Sequence, residues 1–583
     1  MQTAPQVNPS ETTNPDTGSR QRGLAHRLAK THDAVLVPEK PRHLSRMPLP
    51  GMFLSGRDSG KISQPKRTDL LKDLQSWEQA LRNANAIFRA GPSKGLHDLL
   101  GKSSRAGEWM LDNFYVVKQT FRQIEEDLPA SFFDQLPKLE PGLPRPVQEP
   151  GLPRIFALAR EWIGYTQSKI DLTQAAVFVQ DYQQITPLTI GELWALPIML
   201  RIGILERLVY AASELTGMDA PPRARTGTTS KSLNETPNEF ATPALANDAI
   251  VANCFLSLRL LSATDWKDFF EQTSRVEKIL RDDPAQVYAD MDFDTRNSYR
   301  SVIEELARHS AFSEEQVALA AVESARSLED NVNVRRRQNH VGFYLVDTGR
   351  ATLENSVNYK PELNIRIRRA LLASPTLTYL GSIAILSVLF VFGLLTYAML
   401  SGGSPAQLII VGVLGFGLAL EAAITIVHWN VTHRIKPQSL PRMDFSEGIP
   451  LGNRTMVVVP TLLESEAELN HLLQELELYY LSNPDPQLSY ALLTDFGDAP
   501  TQNMPEDEQL LALASSGIDN LNIKYAQAVP FYLFHRQRQW NPSEGVWMGW
   551  ERKRGKLADF NRLLLDLGET PYITQVGDAS ILL

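Results

Sequence analysis

Two long apolar stretches, residues 379–400 and 407–429, constrain this sequence more than any other feature. Each has about 20 residues, the length that a helix needs to cross a hydrocarbon core of roughly 30 Å. Two buried helices of a soluble protein would give similar hydropathy, but such helices rarely run this long with so few charges. We therefore predict a transmembrane hairpin over residues 371–430.

The charges around the hairpin predict its orientation. Three basic residues precede the first stretch and three follow the second, whereas the connection between the stretches carries no charge: Arg366, Arg368 and Arg369, then Arg434, Lys436 and Arg442. Basic residues concentrate on the cytoplasmic side of membrane proteins. We therefore expect both outer ends of the hairpin in the cytoplasm. Glu421, inside the second stretch, faces either protein or a water-filled cavity, or it lies near an interface.

Composition excludes several classes of protein. A single cysteine, Cys254, excludes a disulfide framework and agrees with a reducing compartment. The net charge of −9 argues against a nucleic-acid partner. The first 30 residues hold no basic start followed by an apolar core, so we expect no cleavable signal peptide.

The sequence before the hairpin predicts an all-α region. Residues 1–66 lack apolar periodicity and are expected to form a disordered tail. Helical periodicity predicts one helical domain over residues 67–216 and a second over residues 244–370, joined by a polar linker over residues 217–243.

Apolar stripes and capping residues support those helices. One stripe has the spacing i, i+3, i+4 and i+7, and another repeats that pattern: Ile155, Leu158, Ala159 and Trp162, then Tyr299, Val302, Ile303 and Leu306. Thr189 with Glu192, and Ser313 with Gln316, have the spacing of a capping box and predict helix starts.

Residues 451–583 predict an α/β domain. The apolar run at residues 455–459 is typical of a strand buried on both faces of a parallel sheet, and Pro460-Thr461 is expected to end it. A helix capped by Ser465 follows, and then a second strand over residues 489–494.

Asp495 and Asp498 follow that second strand directly. Strand, helix, strand and then acidic residues at the carboxyl edge is the order in which open α/β sheets bind nucleotides. An aspartate there can accept a hydrogen bond from a base or a ribose, or it can bond its own backbone in a turn. Both interpretations stay open on these residues alone.

Four cationic side chains surround Gly555 at the start of another predicted helix: Arg552, Lys553, Arg554 and Lys556. A helix amino terminus with basic side chains favours a diphosphate, and a solvated basic face is the alternative. The apolar residues expected to be buried on this helix are Leu557, Phe560, Leu563 and Leu564. No phosphate-loop spacing precedes it, which argues against an ATPase, and no His/Cys/carboxylate cluster indicates zinc.

Residues 531–550 concentrate aromatic and basic side chains, among them Tyr532, His535, Arg536 and Trp540. Such a mixture can form the wall of a nucleotide-sugar or glucan groove. It can equally be the packed underside of an insertion.

Long motifs in this region resemble a known family. The segments NRTMVVVPTLLES, YALLTDFGDA and WNPSEGVWMGWERKRGKLADFNRLL resemble the transferase segment of bacterial cyclic β-1,2-glucan synthases, glycosyltransferase family 84. Upstream, LPRIFALAREWI, ITPLTIGELWALPIMLRIGILERL and SLRLLSATDWKDFFEQ resemble that family's helical region. The resemblance covers roughly residues 69–583.

The resemblance implies a multi-pass transferase of the bacterial inner membrane. Such an enzyme uses UDP-glucose and a divalent cation, Mg or Mn, to build a β-1,2-glucan chain that stays attached to the protein until it is cyclised. The amino-terminal and transferase regions are then cytoplasmic, and the transferase domain has a GT-A, Rossmann-like fold. A nucleic-acid partner is not expected.

The resemblance also assigns site residues. Pro460, Thr461 and Glu464 would lie in the first nucleotide loop, and Asp495 would hold uracil. Arg554, Gly555, Lys556 and Asn561 would lie near the diphosphate. The protein-bound glucan needs an acceptor hydroxyl, for which Tyr532 or Tyr525 is a candidate.

One departure from the family pattern limits these expectations. The pattern continues with a strand ending in Asp-x-Asp, which holds the metal, and then a base carboxylate; residues 575–579 lack the second acidic residue. The catalytic residues are thus expected downstream of Leu583. We expect an amino-terminal part of a longer enzyme, with an incomplete transferase domain that alone binds no metal and transfers no sugar.

Two other functions remain open. One is a membrane transferase for another β-glucan. The second is a non-catalytic membrane scaffold in which a degenerate nucleotide fold only binds a partner.

Overall fold

The computed structural model describes residues 15–33, 67–90, 105–139, 152–221, 245–326, 336–435, 437, 440–525 and 530–578. The chain divides into two compact units, Met1–Arg442 and Met443–Leu583. Residues 222–243 of the predicted linker lie outside the described residues.

The described residues of the first unit form helices and the loops that connect them, apart from short bridges. Its α-helices before the hairpin are Pro15–Asp33, Arg67–Ala90, Arg105–Asp127, Ala130–Gln135, Arg154–Tyr165, Leu172–Gln183, Ile190–Thr216, Asn247–Ala263, Trp266–Thr273, Arg275–Leu280, Phe293–Arg308, Glu314–Arg326, Val341–Val346, Arg350–Ser356 and Leu363–Ala373.

The prediction of disorder is wrong for Pro15–Asp33, which forms a helix packed on Leu172–Gln183. Leu24, Leu28 and the alanines beside them are buried in that contact. His32 also reaches the interior, where its Nδ1 lies 2.9 Å from the hydroxyl of Tyr182. The local sequence is too polar to form a core alone, so tertiary contacts stabilise this helix. The rest of the predicted tail lies outside the described residues.

The two predicted helical domains form one packed unit. Ile190–Thr216 from the first packs along Asn247–Ala263 from the second, and Arg201 donates a 3.0 Å hydrogen bond to the carbonyl of Leu261. Ile190–Thr216 is buried on all sides, which requires neighbours around its whole circumference. The polar segment after Gly217 therefore connects packed helices, and the prediction that it separates two domains is wrong.

Both predicted capping boxes are confirmed. The Thr189 side chain accepts from the backbone N–H of Glu192, whose carboxylate accepts from the backbone of Thr189. Ser313 and Gln316 make the same reciprocal pair, at 3.3 and 2.9 Å. Local chemistry thus sets these two helix starts.

The two apolar stretches form the helices Pro375–Leu400 and Pro405–Arg434, each long and apolar enough to cross a membrane. Within the most apolar 18 residues of each helix, only 6% and 17% respectively are buried inside the protein. Core helices of a soluble protein would be mostly buried, so the alternative of two soluble core helices is not supported. The pair runs antiparallel, with Tyr379 Oη 2.5 Å from His428 Nε2, and Glu421 is exposed.

The second unit is an α/β domain. Its strands are β1 Thr455–Leu463, β2 Leu488–Phe496, β3 Phe531–Arg536, β4 Gln539–Asn541, β5 Val546–Met548 and β6 Tyr572–Val576, and its helices are Glu466–Ser482, Asp507–Lys524 and Arg552–Leu564. The four-stranded sheet has the order β1-β2-β3-β6, with β1 to β3 parallel and β6 antiparallel to β3. A separate antiparallel pair, β4 and β5, follows β3 in the chain.

Helices cover both faces of this sheet. Alternate strand residues point to opposite faces, so Leu492 and Leu533 pack with the first two helices, whereas Leu493 and Phe534 pack with Phe560 of the third. Leu564, predicted to be buried on that third helix, is exposed because it lies in the last turn, past the sheet contact.

Strand β1 differs from its prediction in two ways. It is only partly buried, with Val457 exposed, because it lies at the edge of the sheet and pairs with β2 alone. It also continues through Pro460 to Leu463. An edge strand tolerates proline because one side of its backbone makes no ladder hydrogen bonds.

Candidate functional site

A buried ion pair joins the carboxyl ends of β2 and β3. Asp495 and Arg536 are in register across the two strands, and Arg536 donates from Nε and Nη2 to the two oxygens of Asp495, both at 2.8 Å. The Arg536 side chain is 1% exposed. This two-point geometry is the strongest form of an arginine–carboxylate contact.

Lys556, from the helix Arg552–Leu564, completes the cluster. Its Nζ lies 3.1 Å from Oδ2 of Asp495 and donates to the backbone carbonyl of Thr461 on β1. Burial lowers the pKa of Lys556, and the charge of Asp495 opposes that shift. Lys556 therefore ties the helix to the ends of both β1 and β2.

Arg536 also holds the turn that precedes this helix. Its Nη1 donates to Oδ2 of Asp559 at 2.8 Å and to the carbonyl of Trp550 at 3.2 Å, and Nη2 donates to the carbonyl of Arg552 at 3.2 Å. Burial opposes its charge, but the hydrogen bond and charge of Asp495, reinforced by Asp559, raise the pKa of Arg536. The guanidinium thus stays charged and fixes three segments at once.

Two glycines allow the turn to lie against the ion pair. A Cβ on Gly549 would meet Asp495 Oδ2 at 2.5 Å, and one on Gly555 would meet the carbonyl oxygen of Trp550 at 2.2 Å. Between them, Glu551 and Arg552 have φ of 50° and 46°. Left-handed backbone at such residues costs roughly 1–2 kcal/mol each, and strain of this kind clusters at functional sites.

The predicted basic cluster divides into two groups. Lys556 turns into the protein, whereas Arg552, Lys553 and Arg554 are exposed at the first turn of the helix. Arg552 forms a 2.8 Å ion pair with Asp498, the second of the two aspartates that the sequence places after β2. Three exposed cations at a helix amino terminus can bind an anionic ligand from solvent.

The remaining predicted nucleotide residues lie around this cluster. Pro460 and Thr461 are half-buried near the end of β1, and Glu464 is exposed just after it. Asn561 is exposed on the helix Arg552–Leu564. The structure therefore brings together Thr461, Asp495 and Lys556, with Gly555 adjacent.

The two candidate acceptor tyrosines have different surroundings. Tyr532 is 5% exposed within the core under the helix Arg552–Leu564, and burial raises the pKa of its hydroxyl. A ring in that position cannot carry a polymer without repacking the core, which argues against Tyr532. Tyr525 donates to Oε1 of Glu477 at 2.6 Å, and its role as acceptor stays a prediction.

The aromatic segment at residues 531–550 has a buried first half and a more exposed second half. Phe531, Tyr532 and Phe534 are buried on β3, so this half is core. Trp540 and Trp550 are exposed, and the rings of Trp540 and Trp547 lie 5.9 Å apart. A groove wall is therefore possible only for the second half.

Sequence reasoning missed the roles of Arg536 and His535. His535 lies beside the ion pair, with Nδ1 2.9 Å from the hydroxyl of Thr494 and its ring against Phe496. Burial lowers its pKa to about 4, so the ring is neutral near pH 7. A prediction that β3 is a strand parallel to β2 would have placed Arg536 opposite Asp495.

The residues described do not form a divalent-cation site. Among them, no group of three or more His, Cys, Asp or Glu side chains is placed to hold a metal ion. Asp495 and Asp559 both accept hydrogen bonds from Arg536. We therefore derive no chemical step through a metal.

Comparison with known proteins supports the family resemblance. No protein-family model matches the sequence. Among curated proteins, it is similar to the cyclic beta-(1,2)-glucan synthase NdvB of Rhizobium meliloti (strain 1021), with 30% identity over 531 residues. The similarity covers 80% of this chain and 18% of that protein, so the chain spans less than a fifth of the curated relative's length.

Proposed function

We propose that this chain, a relative of the cyclic β-1,2-glucan synthases, is part of a membrane glycosyltransferase that polymerises glucose from UDP-glucose into a cyclic β-1,2-glucan. The observation that carries the proposal is a similarity covering 80% of the chain to a protein whose name states that product. The two apolar helices and the α/β sheet agree with it.

The hairpin supports a membrane arrangement for this proposal. Because Tyr379 near the start of one helix meets His428 near the end of the other, the basic residues at the outer ends lie on one side. The positive-inside rule places that side in the cytoplasm. The helical region and the sheet are then cytoplasmic, where nucleotide sugars are available, at the inner membrane of a bacterium.

The nucleotide site that we propose lies at the start of the helix Arg552–Leu564. Arg554 and its exposed basic neighbours would contact the diphosphate, with the backbone N–H groups of the first turn. Pro460, Thr461 and Glu464 would line the opposite side, and Asn561 would lie further along the helix. The domain would then be part of a GT-A fold.

Asp495 has a specific place in this proposal. Its two oxygens already accept from Arg536 and Lys556, and Gly549 lies against it. A carboxylate can accept about four hydrogen bonds, so one toward uracil remains possible. Uracil would reach it only if the strained turn over Gly549 and Glu551 moved.

In the reaction that we propose, an acceptor hydroxyl attacks C1 of glucose and the bond from C1 to UDP breaks with inversion. The hydroxyl proton passes to a base. The resemblance assigns that base, and the carboxylates for Mg or Mn, to sequence beyond these 583 residues. We therefore expect the chain alone to bind UDP-glucose without transferring glucose.

Binding of UDP-glucose by the chain in lipid nanodiscs tests the proposal. We expect saturable binding of UDP-glucose that UDP displaces and ADP does not. We also expect no release of UDP from UDP-glucose over hours. Binding without selectivity, or none, would favour the scaffold. Glucosyl transfer by the chain alone would contradict its expected inactivity. Linkage analysis of the product of a longer form would separate β-1,2-glucan from another β-glucan.

A further inference from the structure

The helix Leu363–Ala373 stands out because none of its residues is buried. Leu363, Ile367 and Leu371 are 71%, 52% and 50% exposed. Their spacing of four residues places them along one side of the helix, so they form a continuous apolar face. An uncovered apolar face of this kind marks an interaction surface.

The opposite side of this helix is attached to the protein. Arg369 donates to both oxygens of Glu354, at 2.7 and 2.6 Å, and lies over the ring of Tyr359. Ile365, on the same side, is half-buried. These contacts fix the rotation of the helix, so the apolar face points away from the rest of the unit.

Two further arginines flank the apolar face. Arg366 and Arg368 are each about 100° around the helix from Ile367, one on either side, and both are exposed. Long basic side chains in that position reach upward to a phosphate layer while the apolar residues lie below it.

The position in the chain indicates what covers the face. Ser374 alone separates this helix from Pro375–Leu400, and the Thr378 hydroxyl donates to the carbonyl of Leu371 at 2.7 Å, which couples the two helices. The end of the second apolar helix, with His433 and Arg434, lies at this same end of the hairpin. The helix Leu363–Ala373 thus ends where the hairpin would enter a bilayer.

We infer that the helix Leu363–Ala373 lies in the cytoplasmic interface of the membrane. Its apolar face is immersed below the headgroups, and Arg366 and Arg368 contact the phosphates of anionic lipids. This inference rests on the proposed insertion of the hairpin. In this position, the helix Leu363–Ala373 attaches the preceding helices to the membrane through the Arg369–Glu354 pair.

Fluorescence quenching in reconstituted vesicles tests the inference. Cys254 is the single cysteine and is buried, so an introduced cysteine can be labelled selectively with an environment-sensitive dye. The full chain carrying Ile367→Cys is compared with Leu319→Cys, an exposed apolar position on Glu314–Arg326, and with Leu389→Cys, exposed within the first apolar helix. Vesicles contain phosphatidylcholine with or without phosphatidylglycerol, and a lipid quencher near the headgroup or deep in the acyl chains.

We expect the headgroup-level quencher to lower emission from position 367 by about twofold and to leave position 319 unchanged, while the deep quencher acts on position 389. Phosphatidylglycerol should increase quenching at position 367, and Arg366→Gln with Arg368→Gln should remove that increase. Quenching at 389 but none at 367 would overturn the inference, because protein or a second copy then covers the face. No quenching at 389 would instead overturn the membrane insertion. Quenching at 367 without dependence on anionic lipid would overturn the arginine contacts.

Discussion

Lys556 lies with its Nζ 3.1 Å from Oδ2 of Asp495, on the buried side of the helix whose other basic residues face solvent. This contact assigns different roles to residues that are neighbours in sequence. Lys556 and Asp495 belong to the support of the site, together with Arg536. Arg552, Lys553 and Arg554 form the surface that can meet a ligand.

The different exposure of the two lysines leads to a labelling prediction. An amine-reactive ester should modify exposed Lys553, and UDP should slow that reaction several-fold because the diphosphate covers the first turn. Lys556 should stay unmodified with or without UDP, because it is 3% exposed. Mass spectrometry of the labelled peptides measures both. Lys524, exposed on another helix, is the control, and equal protection of Lys524 and Lys553 would refute the site.

Loss of Arg536 should destabilise the second unit. Arg536→Met leaves the carboxylate of Asp495 with Lys556 alone and releases the carbonyls of Trp550 and Arg552. Removing one partner of a buried ion pair costs about 3–5 kcal/mol. Amide hydrogen exchange of β2 and β3 in the full chain should therefore accelerate about 100-fold or more.

Arg562→Gln is the matched control for that variant. Arg562 is exposed and 4.0 Å from Asp559, so its removal should change exchange little. Equal effects of the two variants would show that the buried pair does not support the sheet edge.

Burial of His535 predicts a pH dependence. Its pKa falls from 6.5 in the unfolded chain to about 4 in the fold, so the unfolded state binds the proton first. The stability from this group is complete above pH 6.5 and is lost as the pH falls toward 4, by up to on the order of 3 kcal/mol. Exchange protection of β3 should therefore decline across that range.

His535→Asn should flatten the decline in β3 protection over the same pH range. His471→Gln is the control, since His471 is exposed and 3.6 Å from Glu475. An unchanged pH slope in His535→Asn would mean that another group is responsible.

The close approach at Gly555 predicts a strong effect of a single methyl group. In Gly555→Ala the new Cβ would meet the Trp550 carbonyl at 2.2 Å, so the turn before the helix must move. We expect UDP affinity to fall about tenfold or more while β2 keeps its protection. Gly452→Ala, where a Cβ meets no atom within 4 Å, should leave UDP affinity unchanged. An unaltered affinity in Gly555→Ala would separate the turn from the site.

Sequence reasoning succeeded where local chemistry decides structure. The caps at Thr189 and Ser465 are confirmed because their hydrogen bonds join residues three apart. The two apolar helices are confirmed for the same reason, since length and composition suffice. Non-local contacts were not predicted: Pro15–Asp33 becomes a helix only against Leu172–Gln183, and Arg536 meets Asp495 only through the register of β2 and β3.

The geometry of the candidate site was predicted in part. Segments 455–464, 489–498 and 549–561 do meet at one sheet edge, as the order of strand, helix and strand indicates. The direction of each side chain could not be predicted. Whether Lys556 points to a ligand or to Asp495 depends on the rotation of its helix against Phe534 and Tyr572, which is a packing outcome.

Photolabelling with an azido-uracil analogue of UDP-glucose tests the central claim most directly. On the full chain in nanodiscs, we predict labelled peptides from residues 455–464, 489–498 or 549–561, with labelling that UDP removes and ADP does not. Arg554→Gln should reduce the labelling and Arg562→Gln should not. Labelling confined to the helical unit, or unaffected by UDP, would contradict a nucleotide-sugar site at this sheet edge.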